Sequence, residues 1–147
     1  MRVPPGDGVV TDAMAVRLGN DVAELPRLAR LVQEFCEEHE LPPTLAFSFD
    51  LALEEAVTNV ITYGYDDEAR HEIEVRMSVA EGIVRAEVTD DGRPFDPREV
   101  PPPDVHAPLA DRPVGGLGAF LIRRSMDEID YRVVAGRNHL TLSRRLP

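Results

Sequence analysis

The sequence contains no lysine, and all 16 of its Lys and Arg residues are Arg. That absence removes the phosphate-binding lysine of a P-loop, Schiff-base chemistry and the strand lysine of the protein-kinase fold. Cysteine is nearly absent as well. The single Cys36 excludes an internal disulfide and leaves no Cys cluster for zinc. His39, His71, His106 and His139 are scattered without ligand spacing, which speaks against a metal hydrolase. No apolar run approaches the roughly 20 residues that cross a bilayer. The opening MRVPPGDGVVTD lacks the apolar segment of a signal peptide, and a cytoplasmic location is the expectation.

What is present suits one domain. The 147 residues are 43% hydrophobic and 29% charged, and a chain of this size buries about two thirds of its unfolded surface. The formal net charge of −11 argues against a nucleic-acid partner, because phosphate backbones are bound through basic patches. It is compatible with a basic protein partner, or with solubility alone.

Residues 13–20 read as a first strand, with Met14, Val16 and Leu18 alternating. Asp21 opens an Asp-x-x-Glu capping box with Glu24, and Pro26 is tolerated only near a helix start. The helix that follows carries Leu28, Leu31, Val32 and Phe35 on one stripe and ends before LPPT. A second helix is expected from about Thr44 to Gly64, with Leu53, Val57, Val60 and Ile61 on one side. A turn over 65–71 leads to a strand at 72–79, and Glu81-Gly82 closes a hairpin into a strand at 83–90. Residues 91–115 hold seven of the 13 prolines and exclude a helix or an inner strand. A loop this long in a compact domain is often a lid or a binding segment. A short helix at 116–126 and a hairpin of 129–135 and 138–146 around Gly136 complete the chain. Consecutive hairpins with grouped helices indicate an α+β two-layer sandwich.

Three segments carry candidate chemistry. Glu55 and Asn59 sit one turn apart on the second helix, so their side chains point the same way. They lie away from the apolar stripe, where a solvated surface pair would also lie. An Asn carbonyl oxygen suits Mg²⁺, and a carboxylate one turn earlier suits proton transfer from an attacking hydroxyl. In VTDDGRPFDP, Asp90 can accept from an exocyclic amine such as that of adenine, Gly92 lets the backbone approach, and Phe95 packs on the base or plugs the core. The same residues also make an ordinary strand-ending turn. In VGGLGAFLIRR, glycines stand at a loop-to-helix junction, where free N–H groups and the helix dipole favour phosphate. A flexible hinge reads equally well there. A dinucleotide fingerprint fits poorly, since the segment follows a Pro-rich loop and Leu121 occupies its last position. Each signal is weak alone, and their order along the chain is what makes the set specific.

In that order the sequence resembles the Bergerat-fold ATPase superfamily of gyrase, Hsp90, histidine kinases and MutL. EEAVTN matches its asparagine box, DDG its first glycine box and GGLG its second. Within it, LALEEAVTN, DDGRPFDP, GGLGAFLIR and the ending NHLTLSRR are similar to the stand-alone anti-sigma regulatory factors, which are serine-protein kinases. The resemblance spans nearly the whole chain, to Arg145. It implies a Bergerat sandwich with a mixed, mainly antiparallel sheet, helices on one face and an ATP lid over 97–115. Residues 1–12 would be a loose tail of this single domain, 1–147. It implies Asn59 as Mg²⁺ ligand, Glu55 as base, Asp90 on adenine, and Gly92 and Phe95 shaping the base pocket. Gly116 and Gly118 would cradle phosphate, with Leu117 between them among the ATP/ADP-binding residues. Pro94 replaces a second glycine common in the superfamily, as stand-alone regulators often have it, and Tyr63 stands where relatives often have His.

The function implied is a Mg²⁺-ATP-dependent serine kinase that regulates transcription by partner switching. It would bind a sigma factor, phosphorylate a STAS-type antagonist, and share the family's tendency to form a homodimer. Phosphoryl transfer would then rest on positioning and charge neutralisation. Arg112, Arg123 or Arg124 would supply the cationic charge that lysine does not, and Glu54 stands beside Glu55 as the alternative carboxylate. A different class, a nucleotide-gated module that sequesters a partner without phosphorylating it, fits the same boxes. A sensor histidine kinase fits less well, because none of the four His lies in a dimerisation-helix pattern.

Overall fold

The computed structural model describes residues 12–101, 106 and 116–147. The expected tail, Asp12 excepted, and residues 102–115 of the expected lid, His106 excepted, lie outside the described residues. Among the described residues, five strands and three α-helices follow in the order β1 (Asp12–Gly19), α1 (Leu25–Glu38), α2 (Pro43–Tyr63), β2 (Glu72–Ala80), β3 (Ile83–Asp90), α3 (Gly116–Ser125), β4 (Glu128–Val134) and β5 (Arg137–Arg145).

The capping signal at Asp21 works differently from the expectation. Its carboxylate accepts from Ala23 N at 2.9 Å and caps a short 3-10 turn, Val22–Glu24. Glu24 does not reach back to the cap residue but accepts from Gly19 N at 2.9 Å, tying the turn to the end of β1. The α-helix proper begins four residues later, with Pro26 in its first turn. Leu28, Val32, Phe35 and Cys36 form its buried stripe. Helix α2 starts on a proline, Pro43, where the missing N–H is harmless. It stops where Gly64 N donates to Val60 O at 2.8 Å.

The strands form one sheet in the order β1-β2-β3-β5-β4. Every pairing among the described residues is antiparallel, so the expected mixed sheet is corrected to an antiparallel one. The physical reason lies in the connection from β3. It passes through α3 and β4, and the tight β4–β5 turn then returns β5 alongside β3 in the opposite sense. Both hairpins use two-residue turns with positive φ at each position: Glu81 (52°) and Gly82 (76°), then Ala135 (52°) and Gly136 (76°). Such turns match the twist of the strands they join, and glycine takes the second position without steric penalty.

Alternation fixes which face is covered. Val16, Leu18, Ile73, Val75, Met77, Val84, Ala86, Val88, Leu140 and Leu142 are all buried, and they pack with Leu28, Phe49, Leu53 and Val57 of the helices in one core. The helices therefore lie on one face of the sheet, giving the two-layer α+β sandwich. Helix α2 is buried more widely than its apolar stripe implies. Ala52, Ala56 and Asn59 are also buried, and Val60 and Ile61 are only partly so.

Candidate functional site

A cavity of about 240 Å³ opens where the last turns of α2 meet the ends of β3 and β5. Asn59, Val60 and Tyr63 line it from the helix, Val88 and Asp90 from β3, and Tyr131, Asn138 and Leu140 from the last two strands. Pro94 and Phe95 close it from the loop after β3.

The alternation of β3 decides which aspartate of DDG faces inward. Asp90 is buried, while Asp91 points out, accepting from Tyr65 Oη at 3.2 Å and pairing with His71 Nδ1 at 3.3 Å. Asp90 Oδ1 accepts from Gly92 N and from Asn138 Nδ2, each at 2.8 Å. Gly92 lies behind this carboxylate against the end of α2. A Cβ there would stand 3.0 Å from Gly64 O and 3.1 Å from Gly64 Cα. The adjacent Arg93 N donates to that same Gly64 O at 2.7 Å.

The Gly-x-Gly segment meets α2 at the other side of Asn59. Gly118 is buried, and a Cβ on it would stand 2.6 Å from Glu55 Oε2 and 3.4 Å from Asn59 Nδ2. Gly116 is buried at the first turn of α3, and Leu117 between them is 54% exposed. Asn59 is thus shared. It lines the cavity that holds Asp90 and touches the junction where Glu55 meets Gly118. It is also buried, so the surface-pair reading of Glu55 and Asn59 does not hold for Asn59. The model of the histidine kinase-like ATPase domain matches residues 18–144, a span that contains all of these groups.

The chain belongs to that family.

Curated proteins similar to this ATPase domain include the serine-protein kinase RsbW of Listeria monocytogenes, 34% identical over 83 residues. That match covers 54% of the chain and 53% of the relative. The serine-protein kinase RsbW of Bacillus cereus is 32% identical over 95 residues, covering 58% of the chain and 59% of the relative. The chain therefore spans little more than half the length of the curated relatives it matches. Among solved structures, the RsbU and RsbW domains of Rv1364c from Mycobacterium tuberculosis superpose with a TM-score of 0.68 at 20% identity. That superposition covers 92% of this chain and 33% of the other, and it speaks to the fold alone.

Electrostatics set the two ends of the candidate site apart. Burial pushes the Asp90 carboxyl above the ordinary Asp range, and the hydrogen bonds from Asn138 and Gly92 pull it part of the way back. Burial also raises Glu55, with the neighbouring charge of Glu54 adding to it. Glu55 makes no hydrogen bond or ion pair among the described residues. Asn59 Nδ2 is buried without a partner. A buried amide left unpaired is unfavourable and calls for a partner. The two amide atoms exchange by a half-turn, so a carbonyl oxygen can stand in the same place. The residues here fit Mg²⁺, whose preferred donors are oxygens.

Of the three arginines expected near phosphate, Arg123 is committed elsewhere. It donates to Pro97 O at 2.5 Å and Val100 O at 2.7 Å, pinning the start of the 97–115 segment to α3. Arg124 lies over the Phe120 ring at 5.7 Å, and Arg112 falls outside the described residues. Arg93 was not singled out from sequence, yet it lines the cavity and pairs with Asp66. Asn138 and Tyr131 were missed too. Tyr131 Oη donates to Asn138 Oδ1 at 2.7 Å and accepts from Phe95 N at 3.1 Å. One signal was available. Asn138 shares the inward-facing period of Leu140 and Leu142, where a polar residue calls for a reason. No helix among the described residues is long and apolar enough to cross a membrane.

Proposed function

We propose that this domain binds ATP or ADP with Mg²⁺ and acts as a serine-protein kinase in partner switching. One observation supports it above the others: Asn59 sits between a cavity ending in the buried Asp90 and a junction where Gly118 packs on Glu55. Asp90 Oδ2 would accept the adenine amine, with Phe95, Gly92 and Tyr63 shaping the base pocket. Asn59 would hold Mg²⁺, which neutralises phosphate charge, and the start of α3 at Gly116, Leu117 and Gly118 would receive the phosphates. Glu55 would take the proton of an incoming serine hydroxyl, a role its raised pKa suits. By likeness to the RsbW kinases, the substrate would be a serine of a STAS-type antagonist, and the alternative partner a cytoplasmic sigma factor. The domain would work as a homodimer, with residues 97–115 as its lid. The test is transfer of radiolabelled γ-phosphate to a purified STAS partner, in wild type and Glu55→Ala. Transfer by wild type, and its loss in a variant that still binds ATP, is the expected result; no transfer by wild type would sink the kinase assignment. The unpartnered carboxylate of Glu55 favours one second reading, a nucleotide-gated module that sequesters its partner without phosphorylating it. That reading expects ATP-dependent partner binding with no phosphoserine formed.

A further inference from the structure

We propose that Asn138 is a specificity-determining residue, one that makes the cavity select adenine over guanine by occupying one oxygen of Asp90. The inference rests on the nucleotide reading above and goes beyond it to the discrimination between bases.

An ionised carboxylate oxygen offers about two acceptor positions. Both positions on Asp90 Oδ1 are taken, by Gly92 N and Asn138 Nδ2 at 2.8 Å each. Oδ2 accepts nothing among the described residues. Guanine presents N1–H and its 2-amino group side by side, a pair that matches the two oxygens of a free carboxylate. Adenine presents a single donor, the 6-amino group, beside an acceptor, N1. With Oδ1 saturated, Asp90 is reduced to a one-oxygen acceptor, which adenine satisfies. Guanine would leave one N–H facing an oxygen already filled and the donor amide that fills it. Rejection of this kind, by a donor left unpaired in a buried site, discriminates more sharply than shape does.

The amide of Asn138 is held in the orientation this requires. Nδ2 also donates to Gly92 O at 2.9 Å. Oδ1 accepts from Tyr131 Oη at 2.7 Å, and Tyr131 Oη accepts in turn from Phe95 N at 3.1 Å. Turning the amide over would set its oxygen against both Asp90 Oδ1 and Gly92 O. Asn138 and Asp90 are each 4% exposed, so water does not stand in for a lost partner cheaply. Asn138 acts through Asp90, which makes it a positioning residue. The β3–β5 register places the two opposite one another.

The experiment measures ADP and GDP dissociation constants by calorimetry for wild type, Asn138→Leu, Asn138→Ala and Tyr131→Phe. Leu matches the size of Asn without its donor, and Ala carries the test if the Leu variant fails to fold. The expected result is preference for ADP in wild type and a fall of roughly tenfold in the ADP:GDP preference at position 138, the scale of one charge-assisted hydrogen bond. Tyr131→Phe removes the bonds to Asn138 Oδ1 and Phe95 N and loosens the Phe95 loop, but the two Nδ2 bonds to Asp90 Oδ1 and Gly92 O still hold the Asn138 donor in place, so it should weaken both nucleotides alike. An unchanged preference in a position-138 variant that still binds ADP overturns the proposal, as does an equal loss of preference in Tyr131→Phe. Failure of wild type to bind ADP at all is a different outcome, which removes the nucleotide reading and this inference with it.

Discussion

Burial is the main force on Asp90, and it acts against the charge that the proposed site needs. The folded pKa is raised, so the folded state holds the proton more tightly than the unfolded chain does. That stabilising contribution is fully present below the ordinary Asp range and is lost as pH rises through the raised value. At neutral pH the ionised carboxylate therefore weakens the fold, and Asp90→Asn should raise the melting temperature of the ligand-free protein by a few degrees. The same change sets an N–H against the adenine amine, and ADP affinity should fall by roughly 2 kcal/mol. Melting curves and calorimetry on the one variant read both effects, and a lower melting temperature would contradict the first. Glu55 gives a second prediction with its own sign. Burial raises it first and the Glu54 charge second. Phosphotransfer that uses Glu55 as base should fail on the acid side at a pH above the ordinary Glu range. Glu54→Gln removes the raising charge and should move that limb to lower pH, while Glu55→Gln should cost roughly 100- to 10,000-fold in rate. A limb that stays in place in Glu54→Gln would exclude Glu55 as the titrating group. Glu55, Asn59 and Asp90 were legible in the sequence because their motifs are local. Asn138 and Tyr131 were not, because their partners, Asp90 and Phe95, are 48 and 36 residues away and only strand register brings them together.

Helix α3 docks on α2 through glycine, and the identity of the facing atom decides what a side chain there would do. At Gly118 the nearest atom is Glu55 Oε2, 2.6 Å from a Cβ, the free end of a flexible side chain. That end can swing aside, and alanine also favours a helix over glycine by up to about 1 kcal/mol. Gly118→Ala should therefore melt no lower than wild type, yet lose roughly 100-fold in phosphotransfer because the carboxylate has been displaced. At Gly92 the obstruction is backbone, Gly64 O at 3.0 Å and Cα at 3.1 Å, which cannot swing aside. Gly92→Ala should lower stability by about 1–2 kcal/mol. A thermal melt and a kinase assay on both variants separate the two cases; equal destabilisation would show that the α2–α3 junction is tighter than the Glu55 contact implies. At this scale most of the fold could be read in advance. Apolar period, proline placement and the Glu81-Gly82 turn put the elements within a residue or two. The 3-10 turn at Val22–Glu24 escaped because the same Asp-x-x-Glu spacing also caps an α-helix, and tertiary contact with Gly19 decided between them. The wide burial of α2 escaped for a related reason, since α3 covers a flank of it that the apolar stripe does not mark.

Strand order belongs to the whole molecule, and no local signal specifies it. The two hairpins were evident from their turns, but that β5 rather than β4 pairs with β3 follows only from closing the sheet over one core. That closure assembles the candidate site from α2, β3, the loop after it, β4, β5 and α3, so a nucleotide bound there would tie most of the fold together. Ligand at about 100 times its dissociation constant adds ~2.7 kcal/mol to stability, which for a domain of this size raises the melting temperature by roughly 5–10 °C. Magnesium complicates the measurement, because a chain with net charge −11 attracts divalent cations diffusely and is stabilised by them without any nucleotide. Two variants resolve the contributions. At matched ionic strength, Asn59→Ala should keep the rise produced by ADP alone and lose only the further rise that Mg²⁺ adds in the presence of ADP. Asp90→Asn should lose most of both, because a loss of roughly 2 kcal/mol in ADP affinity leaves the site only partly filled at the same ligand concentration. The diffuse effect of Mg²⁺ on ligand-free protein should be nearly the same in all three proteins, since it depends on net charge, which Asn59→Ala leaves unchanged and Asp90→Asn alters by a single unit out of −11. If Asn59→Ala retains the full Mg²⁺-dependent increment, the metal is held by another group, and the unpartnered amide of Asn59 must find its partner in the nucleotide itself.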